Sequence, residues 1–235
     1  MATTKNLLAT VNWAQTFMRF QPLAIGGLEP AVTSANMVLQ TMLGAPFRWP
    51  WNRSVVSFPL IVGQQDYTQS IPNFGFVETV SVSLAGKNTE ITHKRVLALD
   101  GPATARPAYM STQNDNDADN IELRFTPPPD AVYTATVTVQ NAPLEMTSLG
   151  SLWNNVPDKL GFVYNWGFLS FMALLMNDAR FQTFSNKFIA NLLGQQQGLT
   201  EMEINIFLGN YYRLVQMTQG AQLTNQQGIT ARANS

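Results

Sequence analysis

The sequence predicts an α+β protein: a helical bundle formed by both chain ends, an inserted antiparallel β-domain (a small sandwich or barrel), and an extended C-terminal tail. Three observations carry this. Apolar residues recur at helical spacing near both ends of the chain. The middle holds short β-branched runs broken by Gly and Pro. The last residues carry too little apolar surface to offset the entropy of ordering them. The boundaries are 1–53 and 144–217 for the bundle, 54–143 for the β-domain and 218–235 for the tail.

Leu7, Leu8, Val11, Ala14, Phe17 and Met18 fit one face of a helix between Thr4 and Phe20, stopped by Pro22 and Gly26-Gly27. Glu29-Pro30 opens a second helix and Gly44 closes it, with Ala31, Val32, Ala35, Val38, Leu39, Met42 and Leu43 as its apolar stripe. The segments SVVSFPLIV, FVETVSVSLAG, TEITHKRVLAL, NIELRFTPPP and AVYTATVTVQ then read as strands separated by turn residues. After Pro157-Asp158, DKLGFVYNWGFLSFMALLMND is bulky and apolar all round, so it predicts a helix buried on most sides. RFQTFSNKFIANLLGQQQ is a shorter helix. TEMEINIFLGNYYRLVQM is a third, with Thr200 and Glu203 spaced as a capping box. No internal repeat is present.

Composition narrows the function. The chain has 235 residues, 45% hydrophobic, ample for a core. Charged residues are only 12%, about half the usual share, and the net charge is -1. A polar surface built from Asn, Gln, Ser and Thr suits permanent association, because uncharged groups cost less to bury than charges. The plainer alternative is a neutral soluble monomer. A dedicated nucleic-acid binder needs a basic face, which this balance denies. Cysteine is absent, which excludes disulfides and thiolate chemistry. No apolar run approaches the ~18 residues of a membrane span, and the N-terminal residues do not read as a secretory signal.

Catalytic candidates are few. His93 is the single histidine, and it sits beside Lys94 and Arg95, a poor setting for a general base. Asp115, Asp117 and Asp119 resemble the start of a calcium loop, but Asn120 and Thr126 stand where Gly and a bidentate Glu belong. A solvated hairpin tip explains the cluster better. Glu78, Glu90, Asp100 and Glu122 lie in or beside predicted strands without marking a catalytic pair. No cofactor or metal motif is present, and no catalytic residue is assigned. In FRWPWNR, Pro46 and Pro50 favour extended backbone, so Phe47, Trp49 and Trp51 are expected on one face, clamping the β-domain to the bundle. A partner interface and a stacking platform are the other readings of these rings.

The order of the helix pair, APFRWPWNR, GQQDYTQSIPNFGFVE, FTPPPDAVYTATVTVQNAP and SLWNNVPDKLGFVYNWGFLSFMALL resembles the head–tail adaptor (connector) proteins of tailed bacteriophages. The resemblance covers most of the chain. It implies a non-enzymatic virion protein, made in the host cytoplasm. Its implied partners are the portal protein, a tail or nozzle protein, DNA passing through a channel without sequence specificity, and itself in a ring of about twelve copies. It also implies a tail that docks on the portal. The large apolar residues Met217, Leu223 and Ile229, with the charge of Arg232, are the expected contacts. Arg19, Lys159, Arg180, Lys187 and Arg213 are candidates for the channel wall, or plain helix-surface solvation. The rival functions are a carbohydrate-binding virion module using the β-domain, and a virion-associated hydrolase.

Overall fold

The computed structural model describes residues 5–18, 29–94, 103–117, 120–153, 156–196 and 198–233, the side chains of 114–117 and 220–233 excepted. The protein is α+β, with five α-helices and seven strands among these residues. It divides into two compact units, residues 1–47 with 143–235, and residues 48–142.

The helical unit holds α1 (Leu7–Gln15), α2 (Ala31–Leu43), α3 (Gly161–Leu175), α4 (Phe181–Gly194) and α5 (Glu201–Ala233). Asn6 caps α1, its Oδ1 accepting from the Ala9 N–H at 3.0 Å. The helix stops earlier than the apolar spacing suggests. The Thr16 hydroxyl donates to the Trp13 carbonyl at 2.7 Å, a local bond that competes with helix continuation. At the start of α2, Glu29 accepts from the Thr33 N–H at 3.3 Å. The predicted capping box opens α5: Thr200 N–H and hydroxyl both reach Glu203 Oε2 at 2.9 Å, and Glu203 N–H returns to Thr200 Oγ1 at 3.2 Å. Where an extended tail is expected from residue 218, the backbone instead continues as α5 to Ala233. That stretch contains no proline, and its Ala, Gln, Leu and Arg are compatible with a helix already under way.

The centre of this unit is α3. Val163, Tyr164, Phe168, Leu169, Phe171 and Met172 are all buried, and α3 packs against α1, α2, α4 and α5. Such a helix needs neighbours on every side. Gly167 permits the closest approach: a Cβ there would lie 2.8 Å from the Phe188 ring of α4 and 3.1 Å from Val38 of α2.

The second unit is one curled mixed sheet of β1 (Arg53–Pro59), β2 (Asp66–Ser70), β3 (Phe74–Leu84), β4 (Lys87–His93), β5 (Tyr109–Asp117), β6 (Asn120–Thr126) and β7 (Thr134–Asn141). The strand order is β1-β7-β3-β4-β5-β6-β2. The edge strands β1 and β2 approach across the curl, with Phe58 and Tyr67 rings 5.7 Å apart. Val80, Val82, Met110, Ile121, Leu123, Phe125, Val137 and Val139 fill the interior. Ala85 (φ 50°) and Gly86 (φ 78°) form the tight turn joining β3 to β4. Gly75 sits at a register shift, where a Cβ would meet the Gln140 carbonyl at 2.7 Å.

The expected all-antiparallel pattern needs correction. β4 and β5 pair in parallel, Thr92 opposite Tyr109 and His93 opposite Met110. The chain between these strands is long enough for the crossover a parallel pair requires. The predicted strand TEITHKRVLAL ends at His93, and its last residues, with Asp100, lie outside the described residues.

Gly167→Val is expected to destabilise the chain by about 1–3 kcal/mol through overpacking, outweighing the helix-propensity gain from losing Gly. Gly209→Val, where a Cβ meets nothing within 4 Å, is the control and should lose far less. Urea midpoints of the two variants measure the difference. Equal midpoints would contradict the close crossing of α2, α3 and α4.

Candidate functional site

FRWPWNR spans the division between the units. Phe47 is fully buried in the helical unit, its ring 4.8 Å from Phe207 of α5. Trp49 belongs to the β unit and is 3% exposed. Its N–H donates to Gln140 Oε1 at 3.1 Å, and its carbonyl accepts from Gln140 Nε2 at 3.2 Å. The backbone is not extended throughout, because Pro50–Asn52 forms a 3-10 turn. Proline at the first position of a helical turn loses no needed N–H, and its φ suits that geometry as well as an extended one. Alternation therefore fails at Trp51, although its ring still lies 5.3 Å from that of Trp49, tilted by 34°. Asn52 is buried and donates to the Asn141 carbonyl at 2.8 Å.

Beside this segment lies the best-developed charged cluster of the β unit. Glu78 on β3 accepts from Arg53 Nε at 2.7 Å, from Arg53 Nη2, and from Gln140 Nε2 at 2.7 Å. Burial alone would raise the Glu78 pKa. The bonds from Arg53 and Gln140, with the charges of Arg53 and Arg48, outweigh it and hold the carboxyl below its ordinary value. An open concavity of about 540 Å³ follows, lined by Arg48, Glu78, Glu90, Thr92 and His93 among others. His93 is exposed overall, yet the protein around it disfavours the imidazolium and lowers its pKa. Its Nε2 lies 3.4 Å from the Thr112 hydroxyl. Glu78 is thus engaged by structural partners rather than set free to take a proton. Sequence reading singled out Glu78 and His93 but not the concavity, because nothing local links positions 48, 78 and 93.

The other candidates are dispersed. Asp115 and Asp117 lie on β5 next to the β5–β6 turn, their side chains outside the described residues, as is Asp119. Glu122 is on β6 opposite Thr68. Asn120 and Thr126 are the end residues of β6. Among the described residues no group of three His, Cys, Asp or Glu is placed to hold a metal ion. Arg19 lies outside the described residues, Lys159 and Arg213 are exposed, and Arg180 pairs with Asp178 at 2.7 Å. Lys187 sits 4.4 Å over the Trp166 ring. Met217 is 68% exposed on α5. Leu223, Ile229 and Arg232 lie on the same helix, their side chains outside the described residues. Among the described residues no helix is long and apolar enough to cross a membrane.

The helical unit is built on an apolar core, and in the β unit the Glu78 cluster ties β1, β3 and β7 together. Residues 9–205 match the family model of the SU10 adaptor protein, and the chain belongs to that family of phage head–tail adaptors. No curated protein matches the chain. Membership makes this a structural adaptor of the bacteriophage virion, interacting with portal and tail at the head–tail junction.

Glu78 also sets a pH dependence. Its folded pKa lies below the free value of 4.5, so its stabilisation is complete above that value and is lost as pH falls through the lowered one. Asp66, held down by Arg124, and Asp178, held down by Arg180, act in the same direction. Glu78→Gln is expected to cost about 1–2 kcal/mol at pH 7, a modest figure because Arg53 is partly exposed. The deficit relative to wild type should shrink as pH drops toward 3. Urea unfolding at several pH values tests this, and a deficit that stayed constant into acid would remove Glu78 as the titrating group.

Proposed function

We propose that the chain is the repeating subunit of a ring between portal and tail, about twelve copies around a channel through which DNA passes. Membership of the adaptor family over residues 9–205 is the observation that carries this reading. The subunit is made in the host cytoplasm and joins the virion at the head–tail junction. A bundle built from both chain ends forms the ring wall. Phe47, Trp49 and Trp51 act as the junction residues, anchoring the chain on either side of its passage between units. The end of the chain docks on the portal through Met217, Leu223, Ile229 and Arg232. Exposure of Met217 supports the first of these contacts. The low content of charge supports the assembly, since little charge must be desolvated when copies meet.

The test mixes portal rings of the same phage with full-length protein or with a variant ending at Gln216. Electron micrographs should show an added ring with the full-length chain, and at least tenfold weaker binding of the shortened one. Equal binding would move the portal contact to the helical unit. Absence of binding by both would overturn the adaptor ring itself.

A further inference from the structure

The sheet of the β unit ends on one side at β1, and the outer edge of that strand is bare. Leu60 N–H donates to the Tyr133 carbonyl at 2.7 Å and continues the β1–β7 register. Antiparallel pairs alternate between bonded and non-bonded, so Ser54, Val56 and Phe58 turn their backbone groups toward β7. Arg53, Val55 and Ser57 turn theirs the other way, and Pro59, last in that row, has no N–H. Among the described elements only β7 runs alongside β1. Among the described residues, neither Val55 nor Ser57 makes a backbone bond to a turn or loop.

Edge strands are ordinarily blunted by charges, bulges, shortness or a covering element. β1 has few of these devices. From Ser54 to Pro59 it contains no charged residue and no glycine, and its register with β7 has no bulge. Val55 is 62% exposed, and it shares the outer face with Ser57 and with Thr136 and Thr138 of β7, all uncharged. On the inner face Phe58 is buried, whereas Val56, packed at the rim of the core, is only partly so. The other edge strand is guarded: β2 is five residues long, and its Asp66 pairs with Arg124 at 2.7 Å.

We propose that β1 accepts an extended segment of the tail protein as an eighth strand. A row of outward N–H and C=O groups at strand spacing is satisfied as a set only by another extended backbone. Alternation sets the side chains of that segment. Apolar ones face inward beside Val56 and Phe58, and small uncharged ones face outward beside Val55 and Ser57. Charge is not called for, because Arg53, the nearest cation, is already held by Glu78. β1 of a second copy fits less well. With Val55 opposite Ser57 in an antiparallel pair, each Pro59 faces an Arg53 and a bond is lost at both ends. In the reading above, on which this contact rests, the end of α5 engages the portal, which leaves the sheet edge for the tail.

Amide hydrogen exchange, read residue by residue on the full-length chain alone and bound to isolated tails of the same phage, tests the edge directly. In the free chain Val55 and Ser57 should exchange at least tenfold faster than Val56 and Phe58. On the tail they should slow at least tenfold. Slow exchange in a free monomer would mean that the chain covers its own edge, and fast exchange in the complex would mean that nothing pairs there; either overturns the proposal. The partner is identified by cross-linking. The chain has no cysteine, so Pro59→Cys, at the end of the row, can carry benzophenone maleimide without background. A product with the tail protein is expected, and a product with the portal protein or a second copy instead would overturn the assignment. Val55→Pro removes one outward N–H and should weaken tail binding at least tenfold while leaving addition to portal rings unchanged. Thr68→Pro is the control. Phe125 N–H donates to the Gln65 carbonyl at 3.0 Å, so Thr68 N–H also points away from its neighbour β6. Its binding to tails should match wild type, and equal losses in the two variants would count against β1. Wild-type protein that adds no ring to portals would overturn the ring reading, while exchange on the tail still decides the edge.

Discussion

The burial of α3 is the constraint on which the rest depends. Its bulky residues occur on all sides, and each one buried contributes about 1.5–3 kcal/mol relative to exposure. One amphipathic partner covers only one side of such a helix. The covering helices come from both sides of the β segment in sequence, α1 and α2 before it, α4 and α5 after it. The chain must therefore leave the helical unit after Phe47 and return at Pro143. The β unit satisfies this through topology. Its first and last strands, β1 and β7, are antiparallel neighbours, with Arg53 opposite Gln140, so entry and exit lie side by side. Gln140 then bonds Trp49, and Asn141 accepts from Asn52, tying the incoming segment to the outgoing strand.

Charge is used sparingly, and its placement is informative. One face of β1, β7, β3 and β4 carries Ser57, Thr136, Ser81 and Glu90 in one row, and Pro59, Thr134, Ser83 and Asn88 in the next. Ser57 and Thr136 hydroxyls are 3.0 Å apart. The opposite face carries Val56, Val137, Val80 and Ile91 toward the core. Alternation thus separates core from surface without a dense layer of charge. The charges of Glu78, Asp66 and Asp178 are tied down by arginines instead of being left to solvate the surface.

Much of the helical architecture was legible in the sequence, because its signals are local. Gly44, the Thr200–Glu203 pair and the all-round apolar run of α3 mark ends and burial within a few residues of themselves. Two strands were not legible. β2 (Asp66–Ser70) is short and polar, and the second half of β5 is an Asp/Asn run that reads as a turn. Pairing with β6 overrides these propensities: Tyr67 lies opposite Leu123, and Thr112 opposite Leu123 from the other side. The parallel β4–β5 register depends on how the crossover runs, and no residue in either strand announces it. The same limit applies to the sites. A cleft between α2 and α5 joins Gln40 to Tyr211, and the Glu78 cluster joins Arg53 to Gln140. Both are products of tertiary pairing between positions far apart in the chain.

Apolar packing alone fixes which helices touch but tolerates sliding by a fraction of a turn, whereas an adaptor needs its surfaces in fixed positions. Tyr211 supplies directional bonds at this point. Its hydroxyl lies 3.2 Å from Ser170 of α3 and 2.9 Å from Ser185 of α4, in an otherwise apolar setting where burial raises its pKa. A buried hydroxyl loses about 1–3 kcal/mol if its partners move away. A slide of α5 that preserved hydrophobic contact would still break these bonds. The network therefore sets the register of α5 against α3 and α4, holds the wall formed by Phe207, Tyr211 and Leu214 in place, and fixes the direction in which the helix runs on toward Ala233.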